Sequence, residues 1–174
     1  MQNVFEPTLL SSSKESLEVQ NKISVENMSS IYVKEPHPTI LIDGKPLDIM
    51  LNEICPNELV FGLIPTMVDW MNFDEEFKLV ENVFATSHEL KIIPILMCPD
   101  DCDLSCTLIV AEEKTTQDQV KWNRIGIDMN KPNELINQNR FLESGVKWLD
   151  KVPIMTFSKE EYIKSLEKIY RRAN

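Results

Sequence analysis

The chain has 174 residues, 43% hydrophobic and 26% charged, with 4 glycines and a net charge of −10. That length and apolar content suit one domain with its own core and exclude a wholly disordered chain. The acidity disfavours direct binding to nucleic acid, and the scarcity of glycine argues against phosphate-cradling loops.

Residues 1–30 are rich in Ser, Asn, Glu and Gln, and SSSKES reads as a flexible stretch. Glu35-Pro36-His37-Pro38 ends whatever precedes it, because each proline removes a backbone donor and restricts its predecessor. The compact domain is therefore expected from about Ile31 to the end, residues 31–174. Thr39–Ile42 reads as a strand stopped by the turn dipeptide Asp43-Gly44. After Pro46, the residues Leu47, Met50, Leu51 and Ile54 fall on one helical face. Leu59–Ile64 is an apolar run without a decisive period, and Pro65 opens a helical turn through Val68 and Met71. Asn72 with Glu75 resembles a capping box ahead of a stripe of Phe77, Val80, Val83 and Phe84, in a helix ending near Ser87.

The middle of the chain reads as β-structure. Strands are expected at 91–97, 106–113 and 119–129, with Pro94 pushing the first toward an edge. The five residues Lys114–Asp118 have the length of a hairpin connection. Alternation changes parity between Trp122 and Ile125, which predicts a bulge near Arg124 or a strong twist at Gly126. A last strand is expected at 152–157. Ser158 and Glu161 then form a capping box for a helix striped by Tyr162, Ile163, Leu166, Ile169 and Tyr170. With a strand at 39–42 as well, the fold class is α+β, a mostly antiparallel sheet flanked by helices and closed by an amphipathic C-terminal helix. The N-terminus lacks a basic segment followed by an apolar one, and the densest apolar run, Ile92–Met97, falls far short of the ~18 residues of a membrane span. A cytoplasmic protein without membrane contact is the expectation.

The densest chemistry lies at Cys98-Pro-Asp-Asp-Cys-Asp-Leu-Ser-Cys106. Thiols with three residues between them do not match the usual structural zinc pattern, which pairs C-x₂₋₄-C with a second pair further on; the only further thiol is Cys55, and His37 and His88 have no motif spacing. The calcium-loop pattern is missing, and so is C-x-x-C. The segment reads as strand–turn–strand, with Cys98 and Cys106 as small core residues and Asp100, Asp101 and Asp103 projecting as an acidic knuckle. Glu112 and Glu113 are expected as rim charges, and Trp122 as an apolar anchor. The rival reading is a small cysteine-dependent or metal-binding enzyme or regulator using Cys98, Cys102 and Cys106. No nucleophile elbow, P-loop or dinucleotide fingerprint is present, so no catalytic residue, metal or cofactor is assigned.

Charge is unevenly spread: residues 1–113 hold 6 Lys/Arg and 20 Asp/Glu, whereas residues 114–174 hold 12 and 8. The first part nets −14 and the second +4, a polarity that attracts basic proteins and would also let two copies pair.

The strings ILIDGKPLDIML, GLIPTMVDWM and IIPILMCPDDCDLSCTLIVAEE resemble a group of small acidic bacterial proteins. These are immunity partners of secreted toxin modules, as in contact-dependent growth inhibition. The resemblance covers roughly residues 39–129 and extends through VKWLDKVPIMTFSKEEYI. It implies a cytosolic antidote that binds its toxin domain stoichiometrically and covers the active site. Toxins of this kind are often basic nucleases, in keeping with the acidic half of the chain.

Overall fold

Two short apolar segments start the fold. Ile23 and Val25 on one strand, with Ile40 and Ile42 on the next, turn their side chains into the core. The computed structural model describes residues 20–129 and 145–172. Within them the protein is α+β: two antiparallel sheets and three helices. Strands β1 (Ile23–Met28), β2 (His37–Ile42) and β3 (Lys45–Pro46) form the first sheet in that order. Asp43 and Gly44 both have positive φ, 51° and 83°, the conformation of a two-residue hairpin turn whose twist suits the flanking strands. Part of the polar stretch ahead of Ile31 therefore enters the fold as β1; residues 1–19, with the SSSKES segment, lie outside the described residues.

Helix α1 (Leu47–Ile54) starts directly after Pro46 and buries Leu47 and Leu51. Strand β4 (Ile64–Pro65) and a 3₁₀ turn (Val68–Trp70) lead into helix α2 (Asp74–Ala85), and Pro65 thus ends a strand rather than opening a helix. The second sheet runs β4, β5 (Leu90–Met97), β6 (Leu108–Thr115), β7 (Gln119–Asp128) and β8 (Val146–Trp148). Strand β9 (Met155–Ser158) pairs with the other half of β7, so the outer edge of β7 is shared between two short strands. The expected bulge falls at Asn123, since Glu112 faces Arg124 while Glu113 faces Trp122. A second shift falls between Pro94 and Leu96, where β4 reaches only the last two residues of β5. Pro94 therefore sits on an open stretch of edge, and its carbonyl accepts from Thr66 Oγ1 at 2.8 Å and Tyr170 OH at 2.5 Å.

Helix α3 (Lys159–Tyr170) joins the two sheets. Ser158 caps it, accepting from the Glu161 N–H. The Glu161 carboxylate turns instead to the Ile23 N–H at 3.1 Å, so only half of the expected box forms. Ser165 Oγ donates to the Ile23 carbonyl, and Asn21 bonds Thr156 of β9 through both its backbone and its side chain. The buried face of α3 carries Tyr162, Leu166, Ile169 and Tyr170. Tyr170 stacks on Phe84 of α2 at 4.8 Å, and Trp122, Phe157 and Tyr162 form a second aromatic cluster. No helix among the described residues is long and apolar enough to cross a membrane.

Candidate functional site

The connection from β5 to β6 is built from side chains that hold their own backbone. The ladder ends at the pair Met97–Leu108, and the chain beyond it turns back through a Cys102 N–H to Cys98 carbonyl bond of 3.0 Å. Cys102 adopts a positive φ of 49°, and its thiol donates to the Pro99 carbonyl. Asp103 Oδ1 accepts from both the N–H and the hydroxyl of Ser105, the side-chain turn that aspartate favours. Leu104 is the apolar pin of this connection, buried in the core.

A second segment then meets the first. Asn72 does not cap α2; Phe73 occupies the cap position, with no side-chain bond. The Asn72 amide donates instead to the Asp101 carbonyl at 2.7 Å, and Glu76 Oε1 accepts from the Leu104 N–H at 3.0 Å. These bonds fasten the 98–106 loop to the N-terminal turn of α2. Asp100, Asp101 and Asp103 thereby come beside the turn that carries Asp74, Glu75 and Glu76, where Phe73 at the cap position is 54% exposed. Among the described residues no lysine or arginine forms an ion pair with any of these six carboxylates. Burial lifts the Glu76 carboxyl above its usual value; the Leu104 N–H opposes the rise, and the Asp103 and Glu75 charges add to it.

The three aspartates expected at the site are thus gathered there, with Asp100 and Asp101 exposed and Asp103 half-buried. Asn72, Phe73, Asp74 and Glu75 were missed. The acids had a sufficient explanation in the dipole of α2, and only the exposed Phe73 in an otherwise polar Asn-Phe-Asp-Glu-Glu string carried a signal.

The other expected contacts fall elsewhere. Glu113 lies roughly 17 Å along β6 from the loop, at the strand rise of ~3.3 Å per residue. It is 3% exposed and Trp122 is 0% exposed, so neither offers a surface to a partner. They belong to one internal network: Trp122 Nε1 donates to Tyr162 OH at 2.9 Å, and Tyr162 OH donates to Glu113 at 2.5 Å. Lys91 lies 3.6 Å from the same carboxylate and donates to the Phe84 and Thr86 carbonyls at 2.8 Å each, closing the end of α2. Burial pulls the Lys91 ammonium below its usual value, against the opposing charge of Glu113. Glu112 is half-buried and paired with Arg124, whose guanidinium covers the Trp148 ring at 4.0 Å. Its charge is satisfied within the sheet rather than offered as a rim.

The thiols separate into two kinds. Cys98, Cys106 and Asp101 bring their ligand atoms within 4.8 Å of one another. The Cys106 thiol is raised above its usual value by its hydrogen bond with Cys98 and then by burial. Cys102 is raised first by burial and then by its anionic neighbours, so neither thiol is activated as a nucleophile. A cleft of about 270 Å³ on the other side of the core is lined by His37, Asp48, Phe61 and Leu63 among others. Its polar groups serve the fold: Asp48 accepts from the Gly62 N–H, and His37 lies edge-on to Trp70 with Thr39 and Pro38 as partners.

Comparison with family models, with curated proteins and with solved structures returns no match.

Proposed function

We propose that the protein is a non-enzymatic binder that neutralises a basic protein partner, in its most specific form a cytosolic immunity protein occluding a toxin domain. The observation that carries this reading is the meeting of the 98–106 loop with the start of α2. It brings the acidic loop of Asp100, Asp101 and Asp103 to the helix start that carries Asp74, Glu75 and the exposed Phe73. An apolar anchor inside an acidic rim suits a cationic cleft: the charges steer encounter and fix orientation, while the ring supplies buried area. The missing counter-ions among the described residues leave those charges available to a partner.

The test is a capture experiment from the source cells with tagged chain, followed by purification of whatever is held stoichiometrically. The variant D74N/E75Q/D100N/D103N keeps every side-chain oxygen that bonds the backbone and should weaken binding roughly tenfold or more. A matched loss of four exposed charges elsewhere, E26Q/E35Q/E89Q/E160Q, should leave affinity unchanged. A basic partner held equally well by the first variant would sink the assignment of this face. Phe73→Ala supplies a further check, with an expected cost of about 2 kcal/mol in binding.

A further inference from the structure

We infer that Cys98, Cys106 and Asp101 form a binding site for a thiophilic divalent cation, with Zn²⁺ as the first candidate. The proposal goes beyond partner binding and does not depend on it. Spacing alone argued against metal, because seven residues separate Cys98 from Cys106 and no second pair of thiols follows. The hairpin supplies what spacing lacks. Cys98 follows the last rung of β5 and Cys106 shortly precedes the first rung of β6, so the paired strands bring the two thiols together from opposite sides of the loop mouth. Asp101 returns its carboxylate to the same point, beside the thiols of Cys98 and Cys106. The three ligand atoms lie within 4.8 Å of one another. Zn–S bonds of ~2.3 Å in a tetrahedron set sulfur atoms about 3.8 Å apart, so closing on an ion needs a contraction of about 1 Å or less.

The donor set selects the ion class. Two thiolates and one carboxylate favour zinc-like metals over calcium or magnesium, which want oxygen alone. Binding forms two metal–sulfur bonds and one metal–oxygen bond and releases one proton from each thiol. Cys102 is not among the three, since its thiol is turned to the Pro99 carbonyl. Asp100 and Asp103, flanking the site in sequence, raise the local concentration of cations.

Cobalt titration of the reduced full-length chain tests this, because Co²⁺ in a thiolate site gives a near-ultraviolet charge-transfer band. One equivalent should develop the band, and one equivalent of Zn²⁺ should abolish it. C98S and C106S should each lose it, whereas C102S and C55S should retain it. D101N should weaken binding more than about tenfold, since even outer-shell changes commonly cost ten- to a hundredfold. Circular dichroism is the check that each variant is folded; both thiols are only half-buried, so serine should be tolerated. A folded, reduced wild type without the band overturns the proposal, as does a band that survives both C98S and C106S. D74N/E75Q/D100N/D103N leaves all three ligands in place, so loss of partner binding and loss of metal read out separately.

Discussion

Glu113 and Glu76 are both buried carboxylates that accept hydrogen bonds, yet they sit in opposite electrostatic settings. Glu113 has a cation and a phenol: Lys91 at 3.6 Å and the Tyr162 hydroxyl. Replacing it with alanine leaves the Lys91 charge buried without its partner, which should cost about 3 kcal/mol in denaturant unfolding. Glu113→Gln, which still accepts from Tyr162, should cost less. Glu76 has one backbone donor and two acidic neighbours, and burial raises its pKa above 4.5. The folded protein then holds that proton to higher pH than the unfolded chain does. Through the window between 4.5 and the raised value, stability falls as pH rises. Glu76→Gln keeps the bond to the Leu104 N–H, so a series of melts across that window should show a shallower fall. Asp48, also raised by burial, accounts for part of the slope that remains. Charge alone did not distinguish these acids from the surface ones in the sequence. Glu112 and Glu113 share an exposed-looking string, and only the pairing of Glu113 with Trp122 across β6 and β7 marks it as internal.

Elements with a strong period of their own were legible, and those defined by a partner were not. The buried faces of α2 and α3 follow from their apolar stripes, and the bulge in β7 follows from a change of parity that the ladder reproduces at Asn123. Strand β8 has three residues, Val-Lys-Trp, and exists because Gly126 lets it approach. A Cβ at Gly126 would stand 2.5 Å from Val146 Cγ1 and 2.6 Å from the Lys147 carbonyl oxygen. Gly126→Ala should therefore lower stability by about 1–3 kcal/mol, the usual range for forced overpacking, measured by denaturant titration. Strand β1 escaped notice because its outer residues Glu26 and Asn27 are exposed, and its partner lies beyond Pro36 and itself contains Pro38. Ser158 is a clearer case of local control: its side chain meets an N–H of the first turn of α3, and Ser158→Ala should cost about 1 kcal/mol. The site divides the same way. Turn chemistry located Asp100, Asp101 and Asp103, but the docking of their loop on α2 depends on Asn72 and Glu76, from a segment nearly thirty residues earlier.

At the scale of the whole molecule, the sheets end in strands of two to four residues or under side chains. Strand β4 has two residues, β8 three and β9 four, the last two dividing the outer edge of β7. The free edge of β1 meets Glu161 and Ser165 of α3, and the open part of β5 carries Pro94, which has no N–H to donate. Strand addition is opposed at Ile23, whose backbone groups are already taken, and at Pro94. The consequence concerns misassembly. A chain whose central strands are as apolar as Leu-Ile-Val-Ala would be a ready template for cross-β growth if one of them lay at an open border. Here that string is enclosed between β5 and β7, and fibre growth must wait for the sheet itself to unravel.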